Sequence, residues 1–177
     1  PLGALQHVEV TDWQHEAVID CRWLPRGLRY LNVQCARLTQ LAQLPETVAE
    51  LHLDVAQPLE TGDAIRLPGV ARLTVQQDLA TWFGSLFGWE AQFPAMFSQL
   101  QSFEACSSLP VWTSDAWTRL PRLCSLRLAW RRLRVAPPLN LHATAHVRSI
   151  AIQDIPVHDI PARSEDQAPL SAVHWSV

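Results

Sequence analysis

An aliphatic residue, two variable residues, an apolar residue, one variable residue and a third apolar residue recur eight times along the chain. The pattern reads Leu5-x-x-Val8-x-Val10, Leu28-x-x-Leu31-x-Val33, Val48-x-x-Leu51-x-Leu53 and Val70-x-x-Leu73-x-Val75. It continues as Leu100-x-x-Phe103-x-Ala105, Leu123-x-x-Leu126-x-Leu128, Val147-x-x-Ile150-x-Ile152 and Leu170-x-x-Val173-x-Trp175, with starts 20 to 30 residues apart. Apolar and variable positions alternate within each motif, as a strand with one buried face requires. A unit this short holds one strand and one return path, so consecutive strands are expected to stack in parallel. At about 4.8 Å per strand, eight would span roughly 34 Å. The returns are bulkier than the strands, so the stack should curve with its sheet on the concave side. The predicted fold is an α/β repeat solenoid of about eight short parallel strands with an irregular, short-helical convex side, in a single domain over residues 1–177.

The returns carry their own punctuation. Leu24-Pro25, Leu44-Pro45, Leu67-Pro68 and Leu120-Pro121 stand shortly before the next strand. Proline there lacks an N–H and biases its predecessor to extended geometry, closing the return. Helix is expected only in the longer returns, and Ser114-Asp115-Ala116-Trp117 reads as an N-cap followed by one or two turns. The longest gap holds Trp82, Phe83, Phe87, Trp89, Phe93 and Phe97. An amphipathic helix is expected over 78–91, with Leu79, Trp82, Phe83, Leu86 and Phe87 on one face. These aromatics either fill the core of a long repeat or form an exposed docking patch.

A net charge of -3 gives no general pull toward nucleic acid or anionic membrane. The Arg131-Arg132-x-Arg134 cluster reads as the flank of a turn. No apolar run approaches the roughly 18 residues of a membrane span. Cys21, Cys35, Cys106 and Cys124 lack zinc spacing and read as reduced thiols, with Cys35 open to exposure. All 14 basic residues are arginine. A GC-rich genome accounts for that, as does selection against ubiquitin acceptors. Pro1-Leu2-Gly3 reads as the remnant of a cleaved tag, and the chain as a piece of a longer protein.

A period of 20 to 29 residues with this internal spacing is the signature of leucine-rich repeats. The stretch Leu24-Pro25-Arg26-Gly27-Leu28-Arg29-Tyr30-Leu31-Asn32-Val33 runs on through Leu38-Thr39-Gln40-Leu41 to Leu44-Pro45-Glu46-Thr47-Val48. It resembles the 20-residue bacterial repeat L-P-x-x-L-x-x-L-x-V-x-x-N-x-L-T-x-L, with Ala36 at the place of the asparagine. That repeat is typical of effectors delivered by type III secretion into the host cytoplasm, several of which join it to an E3 ubiquitin ligase domain. The resemblance implies a leucine-rich-repeat horseshoe that is itself non-catalytic and takes no cofactor. Its implied role is to recognise a host protein, as the substrate-recruiting part of a ligase that meets the ubiquitin-conjugation machinery through a neighbouring domain. The alternative is the ligand-sensing repeat domain of an innate immune receptor.

In such a motif the third, fifth and seventh residues point outward, often with the eighth. The first row is His7, Glu9, Thr11 and Asp12, and the second Tyr30, Asn32, Gln34 and Cys35. The residues expected to bind a protein are Glu9, Asp12, Tyr30, Asn32, Glu50, His52, Asp54, Arg72, Gln76, Glu104, Arg127 and Trp130. The early rows are acidic and the later ones hold Arg72 and Arg127, so a partner with a basic patch toward the first rows is expected. Catalytic and metal chemistry find little support. Glu50, His52 and Asp54 share a strand face without a nucleophile beside them, and His142 and His146 lack a third ligand. No glycine loop suited to phosphate occurs.

Overall fold

The computed structural model describes residues 5–12, 16–57, 65–76, 89–106, 115–130, 144–154 and 173–176. Its centre is a sheet of strands β1 (His7–Thr11), β3 (Tyr30–Cys35), β5 (Glu50–Val55), β6 (Arg72–Val75), β7 (Ser102–Cys106), β8 (Ser125–Trp130), β9 (Ser149–Asp154) and β10 (Val173–Ser176). Each neighbours the next in chain order. Every expected motif therefore contributes a strand. The first seven strands pair in parallel, but β10 runs antiparallel to β9, with Val173 opposite Ile152 and Ser176 opposite Ser149. This corrects the expectation of eight parallel strands: alternation specifies which face is buried and carries no strand direction.

Register explains the sheet's coherence. Val8, Leu31, Leu51, Leu73, Phe103, Leu126 and Ile150 align across successive strands, as do Val10, Val33, Leu53, Val75, Ala105, Leu128 and Ile152. One carbonyl before each of β1, β3 and β5 to β8 sets this alignment by accepting two consecutive N–H groups at the start of the next strand. Gln6 O receives Arg29 N at 2.9 Å and Tyr30 N at 3.0 Å, and Arg29 O receives Ala49 N at 2.8 Å and Glu50 N at 3.0 Å. Ala49, Ala71, Gln101 and Cys124 carbonyls do the same for the strands that follow them.

A hydrogen-bonded turn leads into β3 and into each of β5 to β9. Leu28 N donates to Pro25 O, Val48 N to Pro45 O and Val70 N to Leu67 O; Leu100 N to Phe97 O, Leu123 N to Leu120 O and Val147 N to Thr144 O follow suit. Pro25 and Pro45 open their turns, whereas Pro68 and Pro121 take the second place. Proline suits that second place because its fixed φ is the one such turns need. At the third place, Thr47 directs its hydroxyl to the carbonyls of Arg26 (2.8 Å) and Leu28 (2.7 Å) of the preceding turn. Gly69 holds the same place one turn later, where a Cβ would lie 1.9 Å from Glu46 O.

The returns form a second, smaller layer. Strands β2 (Val18–Asp20) and β4 (Arg37–Thr39) pair in parallel, and each leads into a short 3-10 turn, Cys21–Trp23 and Leu41–Gln43. Leu38 pairs with Ile19, while Leu41 and Cys21 are the buried residues of their turns. From the paired strand residue to the buried turn residue the second return is thus one residue longer, and Gln40 absorbs that surplus in a left-handed conformation (φ 55). Asp20 caps its turn by accepting from Arg22 N at 3.0 Å, and the Arg22 guanidinium holds its carboxyl below the ordinary range. At Ala36, the place of the repeat asparagine, the backbone N–H itself reaches Ala17 O at 2.9 Å.

Helix α1 spans Trp89–Met96 and includes Pro94. Residues 77–88, with most of the helix expected over 78–91 and with Trp82, Phe83 and Phe87, lie outside the described residues. Phe93 and Phe97 are fully buried, so for these two the core reading holds. Phe93 meets Phe97 at 5.1 Å, Phe103 at 4.9 Å and the edge of Trp117 at 6.3 Å between centroids. Trp117 comes from a 3-10 helix, Asp115–Arg119, where a capped helical turn was expected. No helix among the described residues is long and apolar enough to cross a membrane.

Two stability predictions follow from this packing. Gly69→Ala should lower the urea midpoint by the equivalent of about 1–3 kcal/mol with an unchanged m-value, since the added carbon meets backbone. Phe93→Ala should cost about 3–5 kcal/mol, whereas Trp23→Ala, at 82% exposure, should stay within about 0.5 kcal/mol of the parent in the same titration.

Candidate protein-binding face

One face of the sheet is polar, and the ladder arranges its side chains in rows. The first row runs His7, Tyr30, Glu50, Arg72, Ser102, Ser125, Ser149, and the second Glu9, Asn32, His52, Thr74, Glu104, Arg127, Ala151. Strands about 4.8 Å apart bring these neighbours into contact distance. The His7 ring stacks on Tyr30 with centroids 4.0 Å apart and planes 10° from parallel. From the other flanking strand His52 leans on Tyr30 at 5.2 Å and 40°.

Each imidazole also meets a carboxylate on its own strand. His7 Nε2 lies 3.1 Å from Glu9 Oε1, and His52 Nε2 lies 2.9 Å from Glu50 Oε1. The second oxygen of Glu50 takes the Arg72 guanidinium at 2.9 Å. The result is a continuous chain of contacts from Glu9 through His7, Tyr30, His52 and Glu50 to Arg72. Partial burial pushes the Tyr30 hydroxyl up, Glu9 and Glu50 add to this, and its hydrogen bond with Asn32 opposes it. Farther along, Arg127 donates to Glu104 at 3.4 Å across β7 and β8.

Of the twelve residues expected on this face, Glu9, Tyr30, Asn32, Glu50, His52, Asp54, Arg72, Glu104 and Arg127 lie at outward places in the ladder. Gln76 follows β6 directly and is exposed. Asp12 serves the backbone: its Oδ2 accepts from Glu16 N and Ala17 N, both at 2.6 Å. The eighth motif position is corrected outright. Cys35 and Val55 pair in register and are 0% and 1% exposed, because alternation returns the eighth residue to the core side. Trp130 occupies the same place in β8, and its side chain is not among those described. Arg131, Arg132 and Arg134 lie outside the described residues. His7, by contrast, gains weight, since its row position beside Tyr30 marks it as a ring neighbour.

The other candidate chemistry disperses. His146 Nε2 donates to Leu120 O at 2.9 Å, and His142 lies outside the described residues. No group of three or more metal-binding side chains forms among the described residues. Cys21, Cys35 and Cys124 are not in disulfides, and only Cys124 of these is exposed, its Sγ donating to Gln101 O at 3.2 Å. Burial pushes the Cys35 thiol up to about 11. No family model, no curated protein and no solved structure matches the chain.

Thiol labelling tests this distribution. Iodoacetamide at neutral pH should modify Cys124 and spare Cys21 and Cys35, as read by peptide mass spectrometry. The folded Cys35 value of about 11 exceeds its ordinary 9.0, so the folded state keeps its proton where the unfolded state has lost it. Stability should be complete below about pH 9 and should fall between pH 9 and about 11, and Cys35→Ala should flatten that slope in alkaline urea titrations.

Proposed function

We propose that this chain is a leucine-rich-repeat horseshoe whose polar sheet face, lying on the concave side, binds a protein. The observation that carries the reading is the Glu9–His7–Tyr30–His52–Glu50–Arg72 chain of contacts on a half-exposed face. A tyrosine held in place by two rings, beside an arginine, combines side-chain types that anchor protein interfaces. Recurrent motif spacing, in-register stacking and the shared turn before six of the strands support the repeat architecture.

The resemblance of residues 24–53 to the bacterial repeat supplies the setting. In this reading the domain is the recognition part of a type III effector that acts in the host cytoplasm. It captures a host protein and offers it to an E3 ubiquitin ligase domain joined to it. Lysine is absent from the sequence, which suits a recruiter working beside a ligase.

The test has two parts. The domain is used to capture its partner from host-cell lysate, and the captured protein is purified and titrated against variants. Tyr30→Ala should weaken that binding about 30-fold or more, and Glu50→Arg should do likewise. Trp23→Ala, on the return side, should leave it intact. In the second part, the natural effector is mixed with ubiquitin-activating and ubiquitin-conjugating enzymes and tagged ubiquitin, and should modify the captured protein while the domain alone does not. Binding that ignores Tyr30 and Glu50 but needs Trp23 would overturn the choice of face. Absence of modification by the natural protein would remove the ligase link.

A further inference from the structure

Resting on the assignment of this face as the binding surface, we infer that strands β1, β3 and β5 receive an extended basic segment of the partner, with two cationic side chains four residues apart. Three observations lead there. The first is charge: this third of the polar face carries Glu9, Glu50 and Asp54 and not one arginine or lysine. Arg72, on β6, is where positive charge begins.

The second is how those carboxylates are used. Glu50 is committed on both oxygens, to His52 and to Arg72. Glu9 meets only the exposed His7 among the described residues, and its side chain is 56% exposed. Asp54 is half-buried between Gln34 in the register and Gln76 beyond it, and it has no hydrogen bond or ion pair among the described residues. A partly desolvated carboxylate without a counter-charge is unfavourable, and a cation supplied by a partner relieves the cost. Glu104, the carboxylate of the far half, already has Arg127. A basic segment therefore gains most over the first three strands.

The third is spacing. Glu9 and Asp54 are two strands apart laterally and two residues apart along the ladder, which places them about 12 Å from one another. In an extended peptide, residues i and i+4 face the same side about 13 Å apart, whereas i and i+2 reach only about 7 Å. Between the two acceptors the register places Asn32 and Gln34, while Tyr30, with His7 and His52 against it, borders the crossing two residues before Asn32 on β3. The cationic ends would form charge-assisted hydrogen bonds to Glu9 and Asp54 while the chain between them crosses β3 over Asn32 and Gln34.

The experiment uses fluorescein-labelled nonapeptides in anisotropy titrations with the whole domain. One contains Arg-Ser-Thr-Ser-Arg, a second places the arginines two apart, and a third carries glutamates at the positions of the first. The first should bind tightest, and Glu9→Gln and Asp54→Asn should each weaken it about 5- to 10-fold. Glu46→Gln, an exposed carboxylate on the return side, should change nothing. Equal affinity for the glutamate peptide, equal affinity for both arginine spacings, or an equal loss with Glu46→Gln would overturn the inference. The two readings fail differently. If Tyr30→Ala abolishes capture of the natural partner while the glutamate peptide competes as well as the arginine one, only the basic chemistry falls. If neither Tyr30→Ala nor the carboxylate variants affect any binding, the face itself is wrongly chosen and both readings fall.

Discussion

The doubly used carbonyl before each of β1, β3 and β5 to β8 is the constraint on which the other features rest. Because Gln6, Arg29, Ala49, Ala71, Gln101 and Cys124 each accept two consecutive N–H groups from the next strand, successive strands start in the same register. A slip of one residue would turn Tyr30, Asn32 and His52 into the core and expel Leu31, Leu51 and Leu53. With those leucines 0 to 1% exposed, and each fully buried aliphatic side chain contributing on the order of 1.5–3 kcal/mol, no slipped alignment competes. The same lock aligns the outward side chains, so the stacking of His7 on Tyr30 and the bridge from Glu50 to Arg72 are consequences of backbone register.

Fixed register also dictates what happens when a return grows. The strand ladder cannot stretch, so the longer segment between β6 and β7 has to be accommodated on the return side. Of its described side chains, Phe93, Met96 and Phe97 are at most 1% exposed, and Phe93 packs against Phe97, Phe103 and Trp117. Within β7 the two core positions share the space unequally. Phe103 replaces the leucine of neighbouring strands, and Ala105 stands where they place Val75 and Leu128. One large and one small residue keep the layer filled without a void, as close packing requires. The leucine pattern is therefore most altered where the return is longest.

This division explains what the sequence makes legible. Strand positions are readable because alternation of buried and exposed residues is itself the physical requirement for a one-sided sheet. Strands β2 and β4 escape that test, since three residues are too few to alternate. Helix α1 escapes it for another reason: Pro94 normally argues against a helix, yet here it lies inside one. Asp12 looks like a surface acid by spacing, but its carboxylate accepts from the N–H groups of Glu16 and Ala17. On the polar face the residues are legible and the contacts are not. That His7 belongs with Tyr30 follows from pairing between motifs 23 residues apart, a relation no local window contains.

The two halves of the polar face differ in how much freedom they have left to lose. Over β1, β3 and β5 the long side chains are already tied to one another, so a partner meets an ordered surface and forfeits little rotamer entropy on this side of the contact. Over β7, β8 and β9 the first row consists of Ser102, Ser125 and Ser149, which have little side-chain entropy to lose and little area to offer. Their short side chains permit close approach, whereas the first half holds the rings and the tied charges. Under the proposed binding role, binding energy would concentrate over the first three strands, with the serine row as a shallow bed beside them. That asymmetry arises from which residues the register places side by side, and it persists as long as the carbonyl ladder holds.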